Sequence, residues 1–288
     1  MMRDSMPEFS AVTPPEDTGF LRFLYQNALG RLFLRLLMAR WVSRLVGAFL
    51  DSRLSKPMIK RFIKKNEIDL SLYEKEEYRN FNDFFTRHIR SELRPIDQNA
   101  DSFVAPCDGL LSVYPIEKGR VMPIKQSEYT VADLLADESL AEAFDGGVCL
   151  VFRLCVHHYH RYAFADSGKP ILNKYIKGKF HTVRPIALRL HPVFKENARE
   201  VTLYESDNFG KLAQIEVGAM LVGKIENKPL GECFARGEEK GRFLYGGSTV
   251  VVLVGKDRVN FPSVLFEATS EGKEVPVEMG MKLGEKIK

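Results

Sequence analysis

Long apolar runs are missing from this chain of 288 residues. No uninterrupted stretch reaches the roughly eighteen apolar residues that a membrane-spanning helix needs. Met1 to Asp17 carries acids and prolines but no apolar core segment, so it does not read as a secretory signal. The four cysteines, Cys107, Cys149, Cys155 and Cys233, show no CxxC spacing. That argues against a zinc-finger framework, and a chain this large needs no disulfide staples, so free thiols in a reducing compartment are expected. Internal repeats and low-complexity tracts are absent too. Acids are scarce in one region. From Gly19 to Lys65 eleven Lys or Arg face a single acid, Asp51, while the rest of the chain is mildly acidic. The positive charge is therefore concentrated in a basic arm on an ordinary globular body.

Nearly half the residues are hydrophobic, enough for a sizeable core. Residues 1–18 read as a polar leader. In 19–50 a Leu/Phe/Trp series is interrupted by Arg31, Arg35, Arg40 and Arg44 at near-helical spacing. This predicts one basic amphipathic helix, or two around Gly30, suited to an anionic membrane surface. Pro57 opens a further helix through Lys65. Another begins at Phe81 and ends around Arg94-Pro95. From Ser102 onward the texture changes to short strands: Leu110–Tyr114, Val148–Val156, Val201–Tyr204, Leu212–Val217 and Thr249–Val254. Residues 130–143 read as the one helix of this part, and the polar tail from Glu267 as room for one more strand. The fold expected is α+β. A helical, membrane-associating region (19–100) precedes a mostly antiparallel, β-rich catalytic body (101–288).

Two segments stand out chemically. Gly246-Gly247-Ser248-Thr249 runs straight into the apolar strand Val250–Val254. Paired glycines let the backbone approach another group closely. The stretch reads either as a tight turn before a strand or as a serine hydroxyl set beside the Gly247–Ser248 amide for attack on the Gly247 carbonyl. A hydrolase elbow would need glycine at 250, where Val stands. The second segment is Cys155-Val156-His157-His158-Tyr159-His160-Arg161. Read as the continuation of a strand, it puts His158 and His160 on one face. Two imidazoles there can move protons near neutral pH. Asp108, in Pro106-Cys107-Asp108-Gly109, reads as a turn residue or as a carboxylate that orients a histidine. His181 is a further candidate base. No HExxH or similar spacing occurs, and neither a metal nor a nucleic-acid partner is expected.

Taken in order, these segments resemble the phosphatidylserine decarboxylases, a pyruvoyl-dependent, self-processing family, over about Phe20 to Val259. The resemblance rests on Phe81-Asn82-Asp83-Phe84-Phe85-Thr86-Arg87, Arg94-Pro95, Pro106-Cys107-Asp108-Gly109, Tyr159-His160-Arg161, Gln214-Ile215-Glu216-Val217-Gly218-Ala219, Arg236-Gly237-Glu238-Glu239-Lys240-Gly241-Arg242-Phe243 and Gly246-Gly247-Ser248-Thr249. It implies an N-to-O acyl shift and elimination at the Gly247–Ser248 bond. The products would be a β chain of residues 1–247 and an α chain of residues 248–288 headed by a pyruvoyl group made from Ser248. That group would form a Schiff base with the substrate amine and take up the electrons left by CO₂. The resemblance further implies phosphatidylserine as substrate, a homodimer, and a peripheral place on the cytoplasmic side of the cell membrane.

One departure from the family pattern matters. Asp usually precedes the Tyr-His-Arg unit, and many members carry a second His three residues after its His. Here those positions are His158 and Ala163. Asp108, His160 and Ser248 match. His160 takes the acid/base role in decarboxylation, and the cleavage base stays open among His158, His160 and His181. Two alternatives accompany this reading: a pyruvoyl-dependent decarboxylase of a soluble amino acid, and a membrane-associated homologue that does not mature.

Overall fold

The computed structural model describes residues 6–14, 17–117, 121–124, 127–183, 185–219, 224–246 and 248–288. Gly247, one side of the expected cleavage bond, lies outside them, as does part of the expected leader. The amphipathic series folds as three helices rather than one or two: α1 (Gly19–Gln26), α2 (Ala28–Leu37) and α3 (Arg40–Asp51). The first two starts are capped. Thr18 accepts from Leu21 N and Asn27 from Leu29 N, which satisfies donors that a new first turn leaves open. A Cβ at Gly30 would sit 1.9 Å from the Phe23 carbonyl oxygen, so only glycine lets α1 and α2 lie this close.

Pro57 lies in the first turn of α4 (Lys56–Asn66), as the sequence indicates. The next helix, α5 (Phe81–Phe85), is capped by Asn80, which accepts from Asp83 N at 2.8 Å. It stops far short of Arg94. The Thr86 carbonyl is taken by Arg161 Nε at 2.8 Å instead of feeding another helical turn. The helix expected over 130–143 is split into α6 (Val131–Leu135) and α7 (Glu138–Ala141), with Ala136 between them at φ 49°. Three helices escaped the sequence reading: α8 (Pro185–Leu190), α9 (Val193–Glu196) and α10 (Ser263–Ser270). Each is too short to show a clear helical period.

The strands in chain order are β1 (Ser102–Val104), β2 (Gly109–Pro115), β3 (Val121–Ile124), β4 (Ser127–Thr130) and β5 (Val148–Leu154). Then come β6 (Arg161–Ala163), β7 (Gly168–Ile176), β8 (Arg199–Ser206), β9 (Gly210–Gly218) and β10 (Ile225–Asn227). Last are β11 (Glu239–Phe243), β12 (Ser248–Val254), β13 (Val259–Asn260), β14 (Val275–Val277) and β15 (Lys282–Lys286). The main sheet has the order β14-β2-β5-β12-β9-β8-β7, with every pairing antiparallel. Smaller sheets follow the orders β10-β11-β6 and β1-β15-β13. The α+β class and the antiparallel body are as expected.

Strand β12 is central and buried along its whole length. Side chains alternate across a strand, and here both faces meet a core. Val251 and Leu253 join Val151, Ile215, Val217 and the helical residues Leu24, Tyr25, Leu134 and Phe194. Val250, Val252 and Val254 join Phe152, Leu154, Tyr162, Phe243 and Leu265 on the opposite face. Helix α1 thus shares a core with the main sheet, while α3, α4 and α5 gather around Phe81, Phe84 and Phe85 in a separate aromatic cluster that also takes in Leu244.

A buried ion pair joins the main sheet to the small β10-β11-β6 sheet. Lys240 on β11 donates to Glu216 on β9, and both are fully enclosed. Gln214 and Asn227 donate to the same carboxylate at 3.2 and 3.1 Å. Burial raises the Glu216 pKa, and the lysine charge opposes that rise. Removing one partner strands a charge in the interior. Lys240→Met should therefore lower unfolding free energy by about 3–5 kcal/mol in urea melts, and the double variant Glu216→Gln/Lys240→Met should recover part of that loss.

Candidate active site

The ends of several strands meet at one margin of the main sheet. Ser248 opens β12 and pairs with Leu154, the last residue of β5, on one side. On its other side it pairs with Gly218, the last residue of β9. Gly218 N donates in turn to the Ala198 carbonyl at 2.9 Å, just before β8. Strand β2 begins at Gly109 on the same margin, directly after Asp108. Ser248 is held by backbone pairing on both sides, yet its buried Oγ has no hydrogen-bond partner among the described residues. Two residues before it, Gly246 adopts φ 146°, a conformation that a side chain would strain.

The histidine segment does not continue β5. That strand ends at Leu154, and the chain turns, with His158 N bonded to the Cys155 carbonyl at 2.9 Å. The alternating faces expected for His157 to His160 are therefore not formed, because the turn closes locally instead of pairing in the sheet. The turn still brings His158 and His160 together. His160 Nδ1 lies 2.8 Å from the His158 carbonyl oxygen. A carbonyl only accepts, so Nδ1 carries the proton and Nε2 keeps its lone pair. That Nε2 is buried and without a partner among the described residues. His158 Nδ1 accepts from Cys155 N at 3.1 Å, which leaves its proton on Nε2.

Helix α5 and the two residues after it grip this segment. The Phe85 ring lies 4.1 Å from the His160 ring, centroid to centroid. Thr86 offers its carbonyl to Arg161, and Arg87 Nη2 donates to the His157 carbonyl at 3.2 Å. Asn82 Oδ1 accepts from Tyr245 N at 3.2 Å, and its amide donates to Asp51 at the end of α3. The motif from Phe81 to Arg87 thus touches both the histidine turn and the loop that leads into Ser248.

Asp108 has a different partner from the one anticipated. Arg94 holds it in a two-pronged pair at 2.8 and 2.7 Å, and Met279 N adds a bond at 2.9 Å. It orients no histidine directly. It anchors the Pro106–Gly109 segment instead, where the Pro106 carbonyl accepts from Ala163 N at 2.8 Å. His181 is placed elsewhere again. Ser248 belongs to the alternation of Val250 and Val252, whereas the His181 ring contacts Tyr25, whose core lies on the other face of the sheet. Only the His181 backbone reaches the margin: Asn197 bonds both to it and to the Gly218 carbonyl.

Burial pushes the His160 imidazole well below its ordinary pKa, against the pull of its bond to the His158 carbonyl, and the Arg87 charge adds to the fall. Burial, helped by His157, pushes His158 down to about 4, against the pull of Asp108. Both rings are neutral at physiological pH. The margin thus combines an unpartnered hydroxyl, a neutral imidazole with a free lone pair, and a chain conformation reserved for glycine.

The family model for phosphatidylserine decarboxylase matches residues 81–285. The chain belongs to this family. It is 42% identical over 268 residues to phosphatidylserine decarboxylase proenzyme 2 of Clostridium acetobutylicum, covering 93% of this chain and 92% of that one. It is 41% identical over 273 residues to the proenzyme of Clostridium perfringens, covering 93% of each. The proenzyme of Ruminiclostridium cellulolyticum is 39% identical over 270 residues, with 92% and 90% covered.

Sequence reading gave no separate role to Phe85, Asn82, Arg87 or Lys240 around this margin. Their signal lay in the Phe81–Arg87 and Arg236–Phe243 motifs, but which atoms they reach is a tertiary matter. The neutral histidines have a measurable consequence. A histidine with a depressed folded pKa stays unprotonated in the native state while the unfolded chain takes up its proton below roughly pH 6.5. Stability should therefore fall as pH drops through that value, and the His158 share should be fully lost near pH 4. Urea melts across this range should show a shallower slope for His158→Asn than for the parent.

Proposed function

We propose that this chain is a self-processing phosphatidylserine decarboxylase acting at the cytoplasmic face of the cell membrane. The observation that carries the reading is the buried, unpartnered Ser248 hydroxyl at the start of a central strand, beside a loop bound to the same helix as His160. Ser248 Oγ attacks the Gly247 carbonyl while His160 Nε2 takes its proton. The C–N bond opens, the amine gains a proton, and an ester links the two segments. Loss of the Ser248 Cα proton then expels the Gly247 carboxylate. Hydrolysis of the dehydrated terminus releases ammonia and leaves a pyruvoyl group.

The site fits such a group. Its precursor atom is buried and unpartnered, and pairing on both sides fixes the new terminus. When formed, the group supplies an electrophilic carbonyl that takes the headgroup amine and accepts the electron pair left by CO₂. His160 Nε2 takes up the proton that the headgroup ammonium gives up and returns it to the product carbon. Arg94 and Asp108 position the segment beside the histidine turn. His158 is the second proton carrier of the site. His181, whose ring faces the opposite core, is given no part in the cleavage.

The helical region carries the membrane contact. Phe20, Leu29, Leu32, Phe33, Trp41 and Leu45 are each more than half exposed, among exposed Arg31, Arg35 and Arg44. No helix among the described residues is long and apolar enough to cross a membrane. Such a surface suits an amphipathic layer lying on anionic lipid. It favours phosphatidylserine over a soluble amino acid as substrate. The assembly is proposed as a homodimer, as the resemblance implies, with light scattering as its check.

Denaturing mass spectrometry tests the scheme. The parent protein should give two fragments, 1–247 and 248–288, the second with a pyruvoyl terminus. Ser248→Ala should remain one chain and release no CO₂ from phosphatidylserine, and efficient cleavage of that variant would overturn the scheme. His160→Ala should lose at least about a hundred-fold in decarboxylation rate. On vesicles containing phosphatidylserine, the triple variant Arg31→Gln/Arg35→Gln/Arg44→Gln should bind more weakly by on the order of a hundred-fold, with a flatter salt dependence.

A further inference from the structure

His181, His191 and Glu196 converge outside the Ser248 site. One ligand atom from each lies within 4.8 Å of the others. The two imidazoles stack with centroids 4.4 Å apart, and His181 Nε2 is 3.1 Å from Glu196 Oε2. Despite that distance, neither atom has a well-directed hydrogen bond among the described residues, although both are buried. Two atoms that can each supply a lone pair thus stand side by side in the cluster. Lys179 Nζ, on a side chain more than half exposed, stands 3.2 Å from the same carboxylate oxygen and supplies the positive charge there.

We propose that His181, His191 and Glu196 form a binding site for a transition-metal dication of the zinc class, with Tyr25 orienting His181. Two imidazoles and a carboxylate are a donor set that suits zinc and its neighbours. Bonds of about 2.0–2.1 Å in a tetrahedral arrangement put ligand atoms roughly 3.3 Å apart, close to the separation already present between His181 and Glu196. A rotation of the half-buried His191 closes the remaining gap, and Lys179 swings into solvent. On the far side of His181, Nδ1 faces the Tyr25 hydroxyl oxygen at 3.4 Å, and that oxygen also accepts from Thr182 N. With Nδ1–H donating to Tyr25, the Nε2 lone pair is left for the metal, the usual arrangement of a ligating histidine and its outer partner.

The consequence is structural. The metal would bind the segment between His181 and Glu196 to itself and, through Tyr25, to α1. Asn197, next to Glu196, bonds to both His181 backbone groups and to the Gly218 carbonyl beside Ser248. The site therefore lies where the helical arm meets the margin of the main sheet, and it is independent of how the serine reacts.

The test uses full-length protein stripped with a chelator and titrated with zinc against a chromophoric competitor, with bound metal counted by elemental mass spectrometry. The parent should bind one zinc per chain and melt at a higher temperature with it. Glu196→Gln and His191→Ala, both at half-buried positions, should bind at least about a hundred-fold more weakly, and Tyr25→Phe about ten-fold. Cobalt in place of zinc should give the intense visible bands of a four-coordinate site in the parent only. No zinc retained by the parent would overturn the proposal. So would undiminished binding by Glu196→Gln and His191→Ala, which would assign the metal to the other histidines and the cysteines.

Discussion

Much of this molecule depends on one enclosed charge pair. Glu216 sits in the middle of β9, against β12, and Lys240 reaches it from a different sheet. A lysine inside a protein is tolerated only with a fixed partner and further hydrogen bonds, and Gln214 and Asn227 provide those. The pair sets the height at which the small β10-β11-β6 sheet lies over the main one. That small sheet carries Arg161, next to His160 in the chain, and Phe243, whose N donates to the His160 carbonyl at 2.9 Å. A shift of the pair would move the imidazole relative to the start of β12. Apolar residues could have joined the two sheets more cheaply, but they would not have fixed a register between them.

A second constraint comes from outside the body. Asn82 accepts from the backbone of Tyr245 and donates to Asp51, the one acid of the basic arm. The last turn of an amphipathic helix is thereby connected through one side chain to the loop that precedes Ser248. Phe85 lies between His160 and Tyr245, with ring separations of 4.1 and 5.1 Å. The packing is aromatic edge to face around a small helix, a geometry that tolerates little sliding. The arm is thus tied into the body by more than its apolar packing. Its contacts run into the same turn and loop that the chemistry needs.

The strands were legible because β5, β8, β9 and β12 are unbroken apolar or alternating runs, bounded by glycine or charged turns. The Ser248 margin was legible because Gly246-Gly247-Ser248-Thr249 breaks such a run with residue types that serve no packing purpose. The histidine turn was not. Its apolar lead-in looks like strand up to Val156, and nothing local reveals that the Cys155 carbonyl captures His158 N. The partner of Asp108 was hidden for a similar reason: Arg94 is close in sequence, but the pairing depends on where β2 begins. The short helices α8 and α9 bring His181, His191 and Glu196 together through spacings that match no ligand motif. Pairings set by tertiary placement left no period for the sequence to display.

A scissile bond at the head of a central strand, as proposed, has a topological result. Residues 248–288 contribute β12 to the middle of the main sheet, β14 to its edge and β15 to another sheet. A cut before Ser248 would leave the ladder from Thr249 to Val254 intact, so the two pieces would stay interlocked. Once unfolded they would be separate molecules, and reassembly would become a second-order encounter instead of a single-chain search. Under the proposed cleavage, folding comes before scission. The nick would turn a protein able to regain its shape alone into one whose architecture outlives the connectivity that built it.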